Sequence, residues 1–254
     1  MDGNVPPIEI SRSVAQRRPQ QSLLELVALT TSHGDQLALS DVAFTANAGE
    51  ILGIIGPNGA GKTTLLECLA GILAADSGKV YWRGKPLPAA QRRRAMFYVP
   101  DGVRPYQDQL VAQVLSFFAE VYHRSDSEVA DIIAAVGLGT VLGKRVRALS
   151  KGFGRRLLLA LGLLTPHQVL LMDEPFDGFD PRQTREIVGV VRAEAAKGRS
   201  LLLAIHQLVD AERICDRFVL LSDGRVHGVG TLNDLRGCTS LPEGHLEDIF
   251  LALT

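Results

Sequence analysis

Cysteine is scarce. The three present, Cys68, Cys215 and Cys238, form no C-x-x-C pair. That argues against a zinc site or a disulfide framework and suits a reducing cytosol. Long apolar runs are missing too. The longest, Leu157 to Leu164, is interrupted by Gly162 and falls far short of the roughly 18 residues of a membrane span. Any membrane association is therefore expected to go through a partner. The N-terminus has no apolar core behind its charges, so a signal peptide is not expected. An excess of either charge is also missing: the net charge is −1, which gives no whole-protein argument for binding nucleic acid. No internal repeat is visible. The composition, 46% hydrophobic and 22% charged over 254 residues, belongs to a globular chain long enough for a sizeable core.

The most informative stretch is Gly56-Pro57-Asn58-Gly59-Ala60-Gly61-Lys62-Thr63-Thr64. It fits G-x-x-x-x-G-K-[ST], the phosphate-binding loop. The apolar run Ile51–Ile55 before it reads as a buried strand, and the apolar spacing from Thr63 to Ala70 reads as a helix. Glycines bring backbone N–H groups close to phosphate oxygens, and the helix points its positive end at the same anion. Lys62 is expected to reach the β- and γ-phosphates, and the Thr63 hydroxyl to ligate Mg²⁺. An incidental glycine turn would not need this strand and helix around it.

Along the chain, residues 1–21 are polar and proline-dotted and read as a loose tail. Strand-like segments lie near Leu23–Leu29 and Ser40–Ala46, with turns at Ser32-His33-Gly34-Asp35 and Asp76-Ser77-Gly78. Lys79–Trp82 and Ala95–Pro100 read as strands. The run Gln91-Arg92-Arg93-Arg94 reads as a solvated helix face. Helices follow over Val111–Tyr122, Ser127–Val136 and Phe153–Leu164, a helical insert over about residues 102–164. Strands at Val169–Met172, Ser200–Ile205 and Phe218–Leu221 then alternate with helices at Arg182–Lys197 and Leu208–Cys215. Alternation of this kind implies an α/β fold with a mostly parallel sheet.

A phosphate loop alone names no reaction. The run Val169–Met172 delivers two adjacent carboxylates, Asp173 and Glu174, at its carboxyl end, where open α/β sheets place ligands. Asp173 is placed to meet Mg²⁺, and Glu174 to polarise a water for attack on the γ-phosphate. Ser150 and Gly152 open a helix and make a second anion site. An acidic turn and a capped helix start are the bland readings of these two stretches.

Together these residues resemble the ATP-binding subunit of an ABC transporter. The phosphate loop is unchanged from the family pattern. Leu149-Ser150-Lys151-Gly152-Phe153 resembles the signature L-S-G-G-Q, and Asp173-Glu174-Pro175 the second acidic motif. Gly178-Phe179-Asp180-Pro181 resembles the D-loop, and His206 the switch histidine. The resemblance runs from about Leu23 to the C-terminus. It implies a P-loop NTPase core with an N-terminal antiparallel β subdomain and a helical insert, in an ATP-binding domain over residues 22–254. It implies ATP and Mg²⁺ as cofactors. Its partners would be an integral membrane transporter subunit and a second ATP-binding subunit, a copy or a paralogue, on the cytoplasmic face of the membrane; nucleic acid is not expected. In that arrangement Ser150 and Gly152 contact the γ-phosphate held by the other subunit, and Asp180 links the two sites. Glu174 is the base, and His206 holds the γ-phosphate and the attacking water.

The departures are specific. His33 stands where the family places an aromatic ring under adenine. Asp101 follows Val99-Pro100 where the family has glutamine, and is a candidate for the metal's water shell. Phe153 replaces the signature glutamine. Asp101, Ser150-Lys151-Gly152 and the ending Leu246–Leu253 resemble an exporter-type subset. Two other readings stand beside an exporter ATPase: a non-transport ABC protein of translation or DNA repair, and a regulatory subunit that hydrolyses little. The first commonly carries paired ATP domains, coiled coils or zinc motifs, which this sequence does not show. The intact Lys62, Asp173, Glu174 and His206 argue against the second.

Overall fold

The computed structural model describes residues 22–34, 36–239 and 241–254; the tail expected over residues 1–21 lies outside them. A hairpin of β1 (Leu24–His33) and β2 (Gln36–Ala46) leads into β3 (Ile51–Ile55) and helix α1 (Lys62–Ala70). β4 (Ser77–Trp82) and β5 (Lys85–Pro86) return to the hairpin, and the short α2 (Ala89–Arg92) precedes β6 (Met96–Val99). Helices α3 (Val111–Val121), α4 (Asp126–Val136) and α5 (Lys151–Leu164) intervene before β7 (Val169–Asp173). Then come α6 (Pro181–Ala196), β8 (Ser200–Ile205), α7 (Leu208–Ile214), β9 (Arg217–Ser222) and β10 (Arg225–Gly230). Two helices close the chain, α8 (Leu232–Thr239) and α9 (Leu246–Leu253).

Two sheets result. The first, in the order β2-β1-β4-β5, is antiparallel. The second runs β10-β9-β3-β8-β7-β6, parallel throughout except at its β10 edge. The apolar runs of β3, β7 and β8 are explained by burial of both faces, as parallel strands require. Alternation sorts their side chains. Ile51, Ile55, Leu170, Met172, Leu201 and Leu203 join the helices of the insert in one cluster. Leu52, Ile54, Val169, Leu171 and Leu202 face the other way, against Leu65, Leu66 and Leu69 of α1 and the leucines of β1. Helix α1 is thus held between the two sheets.

Parallel β3, β8 and β7 lie side by side, so their carboxyl ends open on one edge. The phosphate loop follows β3, His206 follows β8, and Glu174 follows β7. That adjacency makes a site out of three stretches well separated in sequence.

Some elements differ from expectation. β1 and β2 run to His33 and from Gln36, which makes the hairpin turn shorter and puts His33 at a strand end. β4 starts at Ser77, inside the expected turn. β10, α8 and α9 were not predictable by periodicity: β10 carries Gly228 and Gly230, and the last two helices are eight residues each. The arginine run is only partly solvated. Arg92 is buried and donates from Nη1 to the Cys68 carbonyl at 2.5 Å and from Nε to that of Leu87 at 3.2 Å. It adds a second donor to the Cys68 carbonyl, which the Gly71 N–H at the end of α1 already reaches at 3.1 Å, a common use of arginine near a helix C-terminus. Arg93 and Arg94 are exposed.

Candidate active site

An open cleft of about 810 Å³ lies over the amino end of α1. Of the predicted residues, His33, Asn58, Gly59, Gly61, Lys62, Thr63 and Thr64 line it on one side, with Asp101, Asp173 and Glu174 on the other. The loop needs glycine at two positions for definable reasons. A Cβ on Gly56 would lie 2.1 Å from the Leu221 carbonyl oxygen, so this residue passes against β9 with no room for a side chain. Gly61 has φ +101°, a conformation that L side chains rarely adopt, and caps the start of α1. Pro57 and Ala60 close the loop between them: the Ala60 N–H donates to the Pro57 carbonyl at 3.2 Å.

Lys62 is buried, and its Nζ donates to the carbonyls of Gly56 at 2.8 Å and Pro57 at 3.1 Å. Glu174 lies 3.8 Å from the same ammonium. Burial pulls the Lys62 pKa down, opposed by Glu174 and Asp173. Alternation turns Asp173 toward α1, where the Thr63 hydroxyl donates to its Oδ2 at 2.6 Å. Burial raises the Asp173 carboxyl above the ordinary range, and the Thr63 hydrogen bond opposes that shift. A hydroxyl and a carboxylate oxygen side by side next to a phosphate loop fit Mg²⁺, a hard cation that takes one or two such ligands and completes its shell with phosphate oxygens and water.

Glu174 is a strained residue of the site, as is Asp223 on the rim of the cleft, with φ +47°. The φ of Glu174 is +48°, a left-handed conformation that costs a non-glycine residue about 1–2 kcal/mol. Such strain clusters at functional positions. Its Oε2 lies 2.7 Å from His206 Nδ1. With the carboxylate accepting, Nδ1 carries the proton and donates. Burial raises the Glu174 carboxyl, with the His206 hydrogen bond, the positive field of His206 and Lys62 acting the other way. A partly buried carboxylate, oriented by an imidazole and turned toward the phosphate loop, is suited to take a proton from water.

Three predicted residues lie elsewhere. Ser150 caps α5, accepting from the Phe153 N–H at 3.4 Å. Asp180 caps α6, accepting from the N–H groups of Arg182 and Gln183 at 2.9 and 2.8 Å. A Cβ on Gly152 would sit 3.5 Å from the Gly178 carbonyl oxygen. The signature and the loop after Glu174 are therefore neighbours, yet Ser150, Gly152 and Asp180 do not line the cleft of their own chain.

Sequence reasoning missed the group that holds these pieces together. Arg155 is almost fully buried and pairs with Asp101; Asp177 lies 3.7 Å from the same guanidinium. Asp177 also binds Lys151 at 2.7 Å. Asp101 thus joins the loop after β6 to the helix that starts at Ser150. The signal was present as Arg155-Arg156 on the first turns of a helix, where a positive charge opposes the helix dipole and needs a reason. Asp101→Asn leaves Arg155 with one carboxylate at longer range. Because Asp101 is half-exposed, the expected loss is about 1–2 kcal/mol, less than for a fully buried pair. A melting point a few degrees lower by calorimetry checks this.

A strand, a phosphate loop and a helix, with an acid pair on a neighbouring parallel strand, define a P-loop nucleoside-triphosphate-binding protein. Residues 39–177 match the family described as ABC transporter. The chain belongs to that family, and within it is an ATP-binding subunit. It is 35% identical over 208 residues to the Nod factor export ATP-binding protein I of Rhizobium sp. (strain N33), covering 80% of this chain and 68% of that protein. The protein of the same name in Rhizobium etli is 31% identical, over 87% of this chain and 72% of the other. A solved ATP-binding subunit of an ABC transporter superposes with a TM-score of 0.83 at 30% identity, covering 91% of this chain and 99% of that one. Subunits of this kind work with membrane transporter components. No helix among the described residues is long and apolar enough to cross a membrane.

Proposed function

We propose that this chain hydrolyses ATP with Mg²⁺ and powers export through a separate membrane subunit. The observation that carries the hydrolytic part is the strained Glu174, 2.7 Å from His206 and 3.8 Å from Lys62 at the mouth of the phosphate loop. The export part rests on the relatives, whose names describe ATP-binding proteins of Nod factor export. Residues 22–254 act as one ATP-binding domain, with residues 102–164 as its insert and the cytoplasmic face of the membrane as its place of work.

In this reading Lys62 gives up its backbone carbonyls for the β- and γ-phosphates, joined by loop N–H groups from Gly56 to Thr64. Thr63 and Asp173 hold Mg²⁺, which neutralises charge on the phosphate oxygens when bound. Glu174 takes the proton of the attacking water, and His206 holds Glu174 in place. Asp101 reaches the metal only by leaving Arg155, so its role there is secondary to the ion pair. Ser150 and Gly152, turned away from their own cleft, meet the γ-phosphate bound by a second ATP-binding subunit. Asp180 connects the two sites.

Co-purification with a membrane protein of several spans tests the transport reading; co-purification with ribosomes or DNA overturns it. His33 lines the cleft, with Nε2 3.5 Å from Thr64 Oγ1, and in this reading lies under adenine. His33→Tyr is then expected to tighten ATP binding about two- to fivefold through the larger stacking surface. Titration with a fluorescent ATP analogue reads this directly, and an unchanged affinity removes His33 from the adenine site.

A further inference from the structure

Two buried side-chain polar atoms among the described residues have no hydrogen-bond partner of normal length, and one of them is the hydroxyl of Tyr98. Tyr98 lies on β6 and lines the nucleotide cleft. It pairs in register with Leu171 of β7, two residues before Asp173. Adjacent residues of parallel strands share a face, so Tyr98 and Asp173 both lie on the α1 side of the sheet. Tyr98 packs against the same cluster as Leu65 and Leu66 of α1. A phenol keeps its proton at neutral pH. It is a permanent donor beside a buried carboxylate.

Buried polar groups are nearly always paired in native proteins, and an orphan asks for an explanation. Phenylalanine would fill the same place on β6 without leaving one. Asp173 also needs donors. Thr63 satisfies only Oδ2, whereas a carboxylate has room for several donors. We infer that Tyr98 is a positioning residue of the cation site, whose hydroxyl donates to the Asp173 carboxylate, directly or through one bound water, when nucleotide and Mg²⁺ fill the cleft. It holds the Asp173 carboxylate oriented toward the metal. This rests on the reading of Thr63 and Asp173 as the metal-holding pair.

The test is Tyr98→Phe, read by titrating a fluorescent non-hydrolysable ATP analogue in EDTA and at stepped MgCl₂ concentrations. The expected result is an unchanged affinity in EDTA and an approximately fivefold rise in the Mg²⁺ concentration that gives half-maximal tightening, the size of one lost hydrogen bond. The nucleotide-free melting point stays the same or rises, since the variant removes an orphan group. Superimposable Mg²⁺ dependence in the variant and the parent overturns the inference. So does an equal loss in EDTA and in Mg²⁺, which marks a purely structural role. If the parent itself shows no Mg²⁺-dependent tightening, the underlying metal-site reading fails, an outcome distinct from the other two.

Discussion

Glu174→Gln is expected to lower the rate of ATP hydrolysis by about 10²- to 10⁴-fold, the range for removing a general base, while ATP still binds. The amide keeps the shape and can still accept a hydrogen bond from His206 Nδ1, so the 2.7 Å contact survives. What disappears is the ability to accept a proton from water. Phosphate release under saturating ATP measures the loss, and equilibrium binding of labelled ATP shows that the site remains. Undiminished hydrolysis would remove Glu174 from the chemistry. The pH dependence carries the same signature. Burial holds this carboxyl above the ordinary range, so hydrolysis by the parent should fall on the acid side at a pH higher than a free glutamate would give. The sign for stability is opposite. A carboxyl whose pKa is raised by folding binds more protons folded than unfolded between its unfolded and folded values. The nucleotide-free chain therefore gains stability from this group as pH falls through that window, and Glu174→Gln should flatten that contribution.

Lys62→Ala is expected to weaken ATP binding by about 30- to 150-fold, the equivalent of roughly 2–3 kcal/mol for charge-assisted hydrogen bonds. The ammonium is buried and already desolvated, and in the nucleotide-free chain it is held by the carbonyls of Gly56 and Pro57. Phosphate oxygens are better partners for it than carbonyls, since the pair then carries opposite charges. Removing the side chain also takes away the ammonium that lies 3.8 Å from Glu174. The same variant should therefore shift the Glu174 carboxyl further up. Calorimetric titration with Mg²⁺–ATP measures the affinity; a change of less than threefold would show that the phosphates bind elsewhere.

The parts of this site that could be read from sequence were those in which chemistry and backbone geometry coincide. The phosphate loop needs glycine where φ is positive and where β9 leaves no space, and those glycines are visible in the letters. The acid pair was legible because an uninterrupted apolar run, Val169–Met172, announces a strand buried on both faces. The helix start at Ser150 was legible as a cap, and in the structure its hydroxyl oxygen accepts the Phe153 N–H. Pairings across the chain were not legible. Asp101 looked like a metal-shell residue because nothing local announces Arg155, 54 positions away, as its partner. Arg92 looked solvated because arginines usually are; its role depends on the Cys68 carbonyl at the end of α1, 24 positions away. Tyr98 read only as a strand residue, since its nearness to Asp173 comes from the register of β6 on β7.

The separation of Ser150 from the cleft of its own chain defines the central claim: the phosphate loop is one half of a site that closes against the signature of another subunit. The most direct measurement is the mass in solution of the Glu174→Gln chain, by light scattering with and without Mg²⁺–ATP, alone and with Ser150→Arg added. The expected result is a doubling of mass with ATP that Ser150→Arg prevents. A chain that binds ATP stoichiometrically, stays monomeric and hydrolyses ATP at full rate as Ser150→Arg alone would contradict it.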